Sequence, residues 1–115
     1  MSTLITDQRT DTGRDLDAVE LKRQIGFATV LSISGGNAVR VGPSVVDFPD
    51  SRTGYSVRVR LEADDTYTVQ RVFRRSGKEF LHGERTDVYF DEVGEVCYYC
   101  SCFVSYDADE WVTKA

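Results

Sequence analysis

The sequence predicts a single α+β domain: an antiparallel meander sheet with an N-terminal and a C-terminal helix packed on one face. Three observations predict it. Between Tyr55 and His82 the chain holds three short runs of β-forming residues separated by turn residues, the first two alternating apolar and polar side chains. An apolar stripe at helical spacing precedes them and another follows them. A sheet with one apolar face needs a cover, and one helix from each end of the chain would supply it.

Residues 1–14 are polar and without periodicity, which predicts a mobile N-terminal arm. The domain proper is expected over residues 15–106. From Asp15 onward, Leu16, Val19, Ile25, Ala28 and Leu31 fall near one helical stripe, and Asp15 or Asp17 can cap its start. Gly35 and Gly36 stop it, because glycine accepts the left-handed conformation of a helix end. Gly26 and the run Thr29-Val30-Leu31-Ser32-Ile33 leave a strand open for the last part. Residues 38–41 and 45–48 then read as a hairpin around Gly42-Pro43-Ser44, and residues 49–54 as a loop.

The register of the central strands follows from their faces. A three-residue loop at Ala63-Asp64-Asp65 sets Leu61 against Tyr67, Val59 against Val69 and Tyr55 against Phe73. It places Asp65 in the left-handed region, which aspartate tolerates. A two-residue turn at Ser76-Gly77 sets Phe73 against Phe80, Val72 against Leu81 and Arg74 against Glu79. Towards the end, Tyr89, Val93, Val96, Cys100 and Phe103 recur at helical spacing, predicting a helix from about Val88 to Phe103. The alternation from Val96 to Tyr106 keeps a strand open over residues 95–106. Residues 107–115 read as a C-terminal tail containing Trp111.

At 115 residues the chain can bury one core without staples, and its 41% hydrophobic and 29% charged composition argues against disorder. No run approaches the ~18 apolar residues of a membrane helix, and residues 1–7 do not read as a secretory leader. The three cysteines are odd in number and crowd into residues 97–102, unlike a secreted disulfide framework. A cytoplasmic protein with no membrane partner is expected.

Three stretches together carry a resemblance: Arg23–Gly26 with Val30–Gly36, Asp65–Val69 with Arg71–Phe73, and Asp91–Val96 with Ser101–Phe103. Over about residues 20–103 the chain resembles a family of small, uncharacterised proteins encoded by phages of mycobacteria and related actinobacteria. The resemblance implies a setting, the cytoplasm of an infected bacterium. It implies no activity, cofactor or catalytic residue.

The candidate chemistry is sparse. Cys97, Cys100 and Cys102 form one pair and an extra thiol, with His82 the sole histidine. A structural zinc site wants two separated pairs, so these read as structural thiols with no metal. No paired nucleophile, base and orienting group can be named, so no enzyme and no cofactor are expected. Ser34-Gly35-Gly36-Asn37 lacks the lysine and following helix of a phosphate loop.

The net charge of −5 is uneven: residues 1–51 carry −2, residues 52–85 carry +3 and residues 86–115 carry −6. Arg58, Arg60 and Arg74 share the polar face of the meander, with Arg71, Arg75 and Lys78 near its edge. No aromatic residue interleaves there to stack bases, which disfavours nucleic acid as the partner. The expectation is a non-enzymatic module contacting a protein partner, or a second copy in a homodimer, through Arg58, Arg60, Arg74, Arg75, Lys78 and Trp111. Nucleic-acid binding through the same arginines is the alternative. The acidic end, from Asp87 to Glu110, is too dilute in charge to imitate DNA.

Overall fold

Alternating side chains and turn residues build a meander of five strands, seen in a computed structural model that describes residues 3–5, 10–50 and 54–101. Strands β2 (Val39–Gly42), β3 (Val45–Pro49), β4 (Tyr55–Leu61), β5 (Tyr67–Arg75) and β6 (Lys78–Val88) follow one another in space as in sequence. A two-residue strand, β1 (Thr3–Leu4), adds to the outer side of β6 opposite Leu81 and Phe80. All pairings are antiparallel.

The expected registers hold. Leu61 faces Tyr67, Val59 faces Val69 and Tyr55 faces Phe73. Across the next turn Phe73 faces Phe80, Val72 faces Leu81 and Arg74 faces Glu79. Asp65 sits at φ 69°, and Ser76 and Gly77 at 54° and 75°. Two positive φ values in a two-residue loop match the twist of the flanking strands. Beyond Leu81 the sequence does not reveal that β6 runs on to Val88. It does so through register shifts at His82 and at Thr86–Asp87.

Three helices lie on the apolar face. The expected N-terminal helix is broken in two: α1 (Ala18–Ile25) and α2 (Phe27–Ser34). Gly26 is the break, at φ 101°, where its N–H closes α1 on the Lys22 carbonyl and its own carbonyl accepts from Val30 at the start of α2. Only glycine holds that conformation without strain. Asp17 caps α1 by accepting from the amides of Val19 and Glu20. Gly35, left-handed, ends α2.

The C-terminal helix, α3 (Val93–Ser101), starts later than expected. Val88 belongs to β6 opposite Tyr67, and Tyr89 lies in the turn that follows, its amide donating to the Glu92 carboxylate. Residues 95–101 are helix, not strand. Phe103, Cys102 and the tail with Trp111 lie outside the described residues.

The core sits between helices and sheet. Leu21, Ile25, Val30 and Ile33 meet Phe48, Val59 and Val69, with Val93, Val96 and Cys97 from α3 between them. A Cβ on Gly94 would stand 2.6 Å from the Ile25 carbonyl oxygen, so the first turn of α3 rests directly on the end of α1.

Near the N-terminus, Thr12 donates through its amide and its hydroxyl to the Ser44 hydroxyl, at 3.0 and 3.2 Å. Its hydroxyl also reaches the Leu61 carbonyl, and Ser44 donates to the Arg14 carbonyl. These contacts tie residues 10–14, part of the expected arm, to the β2–β3 turn and the end of β4.

Candidate interaction surfaces

The centre of the polar face of the sheet is closed. Asp47 on β3 is 2% exposed and Arg58 on β4 is 7% exposed, and they stand directly opposite each other. Arg58 donates from Nε to Asp47 Oδ1 at 2.8 Å and from Nη2 to Oδ2 at 3.0 Å. It also donates to both oxygens of Glu79 on β6, at 2.9 and 2.8 Å. Arg74 on β5 completes a ring, donating to Glu79 at 2.8 Å and to Asp47 at 3.2 Å. Two cations and two carboxylates cancel, and all four carboxylate oxygens accept.

Burial alone would lower the Arg58 pKa. The hydrogen bonds to Asp47 and Glu79 outweigh it and hold the guanidinium charged. In turn Arg58, and after it Arg74, hold the Glu79 carboxyl below the ordinary glutamate range. Taking charges from water is costly, and complete pairing is what offsets that cost.

This placement changes the meaning of the sequence-predicted contact residues. Arg58 is an internal strut rather than an exposed cation. Arg74 is half-exposed but shares the ring. Arg60 donates to Glu62 at 2.8 Å, and Thr68 holds the same carboxylate at 2.6 Å. Arg75 and Lys78 face each other across the β5–β6 turn, exposed. Among the described residues neither has a carboxylate partner. Trp111 lies outside the described residues. The signal that would have revealed the ring is Asp47, which falls opposite Arg58 once β3 is paired with β4.

The thiols are buried. Burial pushes Cys97 well above the usual thiol range and Cys100 up to about 12, so both stay protonated and unreactive. Arg71, which sequence placed near the edge of the polar face, is on the apolar face and 2% exposed. Its Nε donates to the Cys100 carbonyl at 3.0 Å, a cation seated at the negative end of α3. His82 lies beside Tyr55 and Phe73, with ring centroids 5.2 and 5.7 Å away. Burial, followed by the nearby Arg71 charge, lowers its pKa. Among the described residues no three or more of His, Cys, Asp and Glu are grouped to hold a metal. The amides of Gly35 and Gly36 are engaged by carbonyls of α2, so the Ser34–Asn37 segment is a helix stop.

The helical layer has a different surface. Phe27 is 78% exposed and Phe90 67%. Leu31 stands one turn after Phe27 on α2, and it too is exposed. Tyr98 and Tyr99 on α3 are exposed, with rings 6.1 Å apart. The close approach of Gly94 to Ile25 brings the start of α3, just after Phe90, to the junction just before Phe27.

Set against known proteins, the chain matches no family model, no curated protein and no solved structure. No helix of the described residues is long and apolar enough to cross a membrane. The aromatic surface was missed at the sequence level because Phe27 was absorbed into one long helix and Phe90 lay beside the Tyr89 stripe. The signal lay in Gly26: a break there restarts the helix at Phe27, off the buried stripe.

Proposed function

We propose that this chain is a non-enzymatic interaction module that receives a protein partner on the apolar surface of its helical layer, around Phe27, Leu31 and Phe90. The observation that carries the reading is the exposure of two phenylalanines in the helical layer, Phe27 at the start of α2 and Phe90 in the turn before α3. A large apolar side chain left in water lowers the free energy of any complex that covers it, by about 25 cal/mol per Å² of apolar surface buried. Phenylalanine at an interface centre suits a protein partner better than a phosphate backbone. The arginines that would track nucleic acid are committed to Asp47, Glu79 and Glu62. With the resemblance to phage-encoded proteins, the partner would be a protein of the infected bacterium, and the module an accessory protein in its cytoplasm.

The test compares the wild-type chain with a Phe27→Ser, Phe90→Ser double variant in affinity capture from bacterial lysate, with and without nuclease treatment. The reading expects one protein retained at low and high salt by the wild type and lost by the variant, with unchanged circular dichroism. Identical profiles for the two chains would exclude this surface. Recovery that disappears with nuclease would replace the protein partner by nucleic acid.

A further inference from the structure

Strand β5 links two ends of opposite charge. At one end the β5–β6 turn projects Arg75 and Lys78, paired directly across the hairpin. Like charges in that position repel, so the tip is stabilised by whatever anion lies against it. At the other end a groove of about 490 Å³ is lined by Arg60, Glu62, Asp64, Thr66, Thr86 and Asp87, among others. Arg60 and Glu62 neutralise each other there. Asp64 and Asp87 remain as exposed carboxylates in no salt bridge among the described residues. Thr66, donating through its hydroxyl and then its amide, lowers the Asp64 pKa and keeps it charged.

Tip and groove cannot meet within one molecule. The nine residues of β5 span roughly 26 Å at about 3.3 Å per residue, against a largest dimension of 30 Å. An exposed cationic hairpin and an open anionic groove therefore lie at opposite ends of the same strand.

We propose that the chain associates head to tail with further copies of itself, the Arg75/Lys78 tip of one copy seating in the Asp64/Asp87 groove of the next. A heterologous contact closes into a ring only where its rotation allows; the proposal is for the open form, which leaves one tip and one groove unfilled at every stage. The net charge of −5 opposes approach at long range. At about 0.15 M salt the Debye length is about 8 Å, and local charges decide. Exposed ion pairs are individually weak, so the association is reversible and concentration-dependent. Neither Phe27 nor Phe90 lines the groove.

Sedimentation equilibrium over a concentration series tests it. The average mass of the wild type is expected to rise past that of a dimer without a plateau at about 0.15 M salt. Raising the salt to about 0.5 M should weaken the association at least about tenfold. A tip variant, Arg75→Glu with Lys78→Glu, and a groove variant, Asp64→Asn with Asp87→Asn, should each be monomeric. Asparagine keeps the acceptor for Thr66 and tolerates the left-handed φ of 56° at Asp87. Mixed, the two variants keep one intact tip and one intact groove between them, and should form a 1:1 dimer that stops there. The Phe27→Ser, Phe90→Ser variant should associate like the wild type. A monomeric wild type, a closed dimer, or association untouched by the charge variants would each overturn the proposal.

Discussion

The two faces of the sheet are both buried at their centres, by opposite chemistry. On one, Phe48, Val59 and Val69 disappear beneath three helices, and contact is non-directional. On the other, Asp47 and Arg58 disappear into a ring of charges in which every carboxylate oxygen has a donor. An apolar face tolerates exchange of one hydrocarbon for another of similar volume. A buried ionic face does not, because removing one member leaves its partner charged and dry. The same strands thus carry one plastic face and one brittle face.

The sharpest way to break this contrast is Arg58→Met. It leaves Asp47 buried with only the half-exposed Arg74 for compensation, and a loss of about 3–5 kcal/mol is expected in urea unfolding. Replacing Asp47 by Val in the same chain should recover part of that loss, because the stranded charge goes too. Arg58→Lys should fall well short of the wild type, since a point charge cannot serve two carboxylates in a fork. A cost below about 1 kcal/mol for Arg58→Met would mean that the ring is no more than a surface ion pair.

Next in size is Gly94→Ala, which pushes α3 off the Ile25 carbonyl and should cost about 1–3 kcal/mol in the same assay. Leu21→Met, a volume-conserving exchange in the apolar core, should cost less than about 1.5 kcal/mol.

The smallest effect separates the faces by pH. Glu79 has a lowered pKa in the folded chain, so its contribution is complete above the ordinary glutamate pKa of about 4.3 and is lost as pH falls through the folded value. His82, on the helix-covered side, is also lowered. Its contribution is complete above about 6.5 and fades as pH drops below that. Thermal melts across pH should therefore show two windows, with Glu79→Gln flattening the acid one and His82→Phe the other.

Much of the sheet was legible in the sequence because period-two alternation leaves one register that keeps every apolar residue on one side. Both long hairpins followed from that and from Asp65 and Ser76-Gly77. The helices were less legible. Gly26 was visible, but sequence spacing alone does not say whether a glycine is tolerated in a helix or divides it; φ of 101° decides. Least legible was the interaction surface. Arg58 reads as an exposed cation as long as β3 and β4 are considered apart. The partner, Asp47, is eleven residues away across a loop whose length gives no register.

The ring also has a consequence for how the chain folds. Asp47, Arg58, Arg74 and Glu79 come one each from β3, β4, β5 and β6. Local hairpins can close early, but this closure needs four strands aligned at once, including the link from Arg58 past β5 to Glu79. A contact of that kind is expected to form after the folding barrier is crossed, which a φ-value near zero for Arg58→Met would test. Weakening it would leave the refolding rate nearly unchanged and speed unfolding. The ring thus acts as a latch on the finished sheet, setting how long a folded molecule lasts more than how fast it is made.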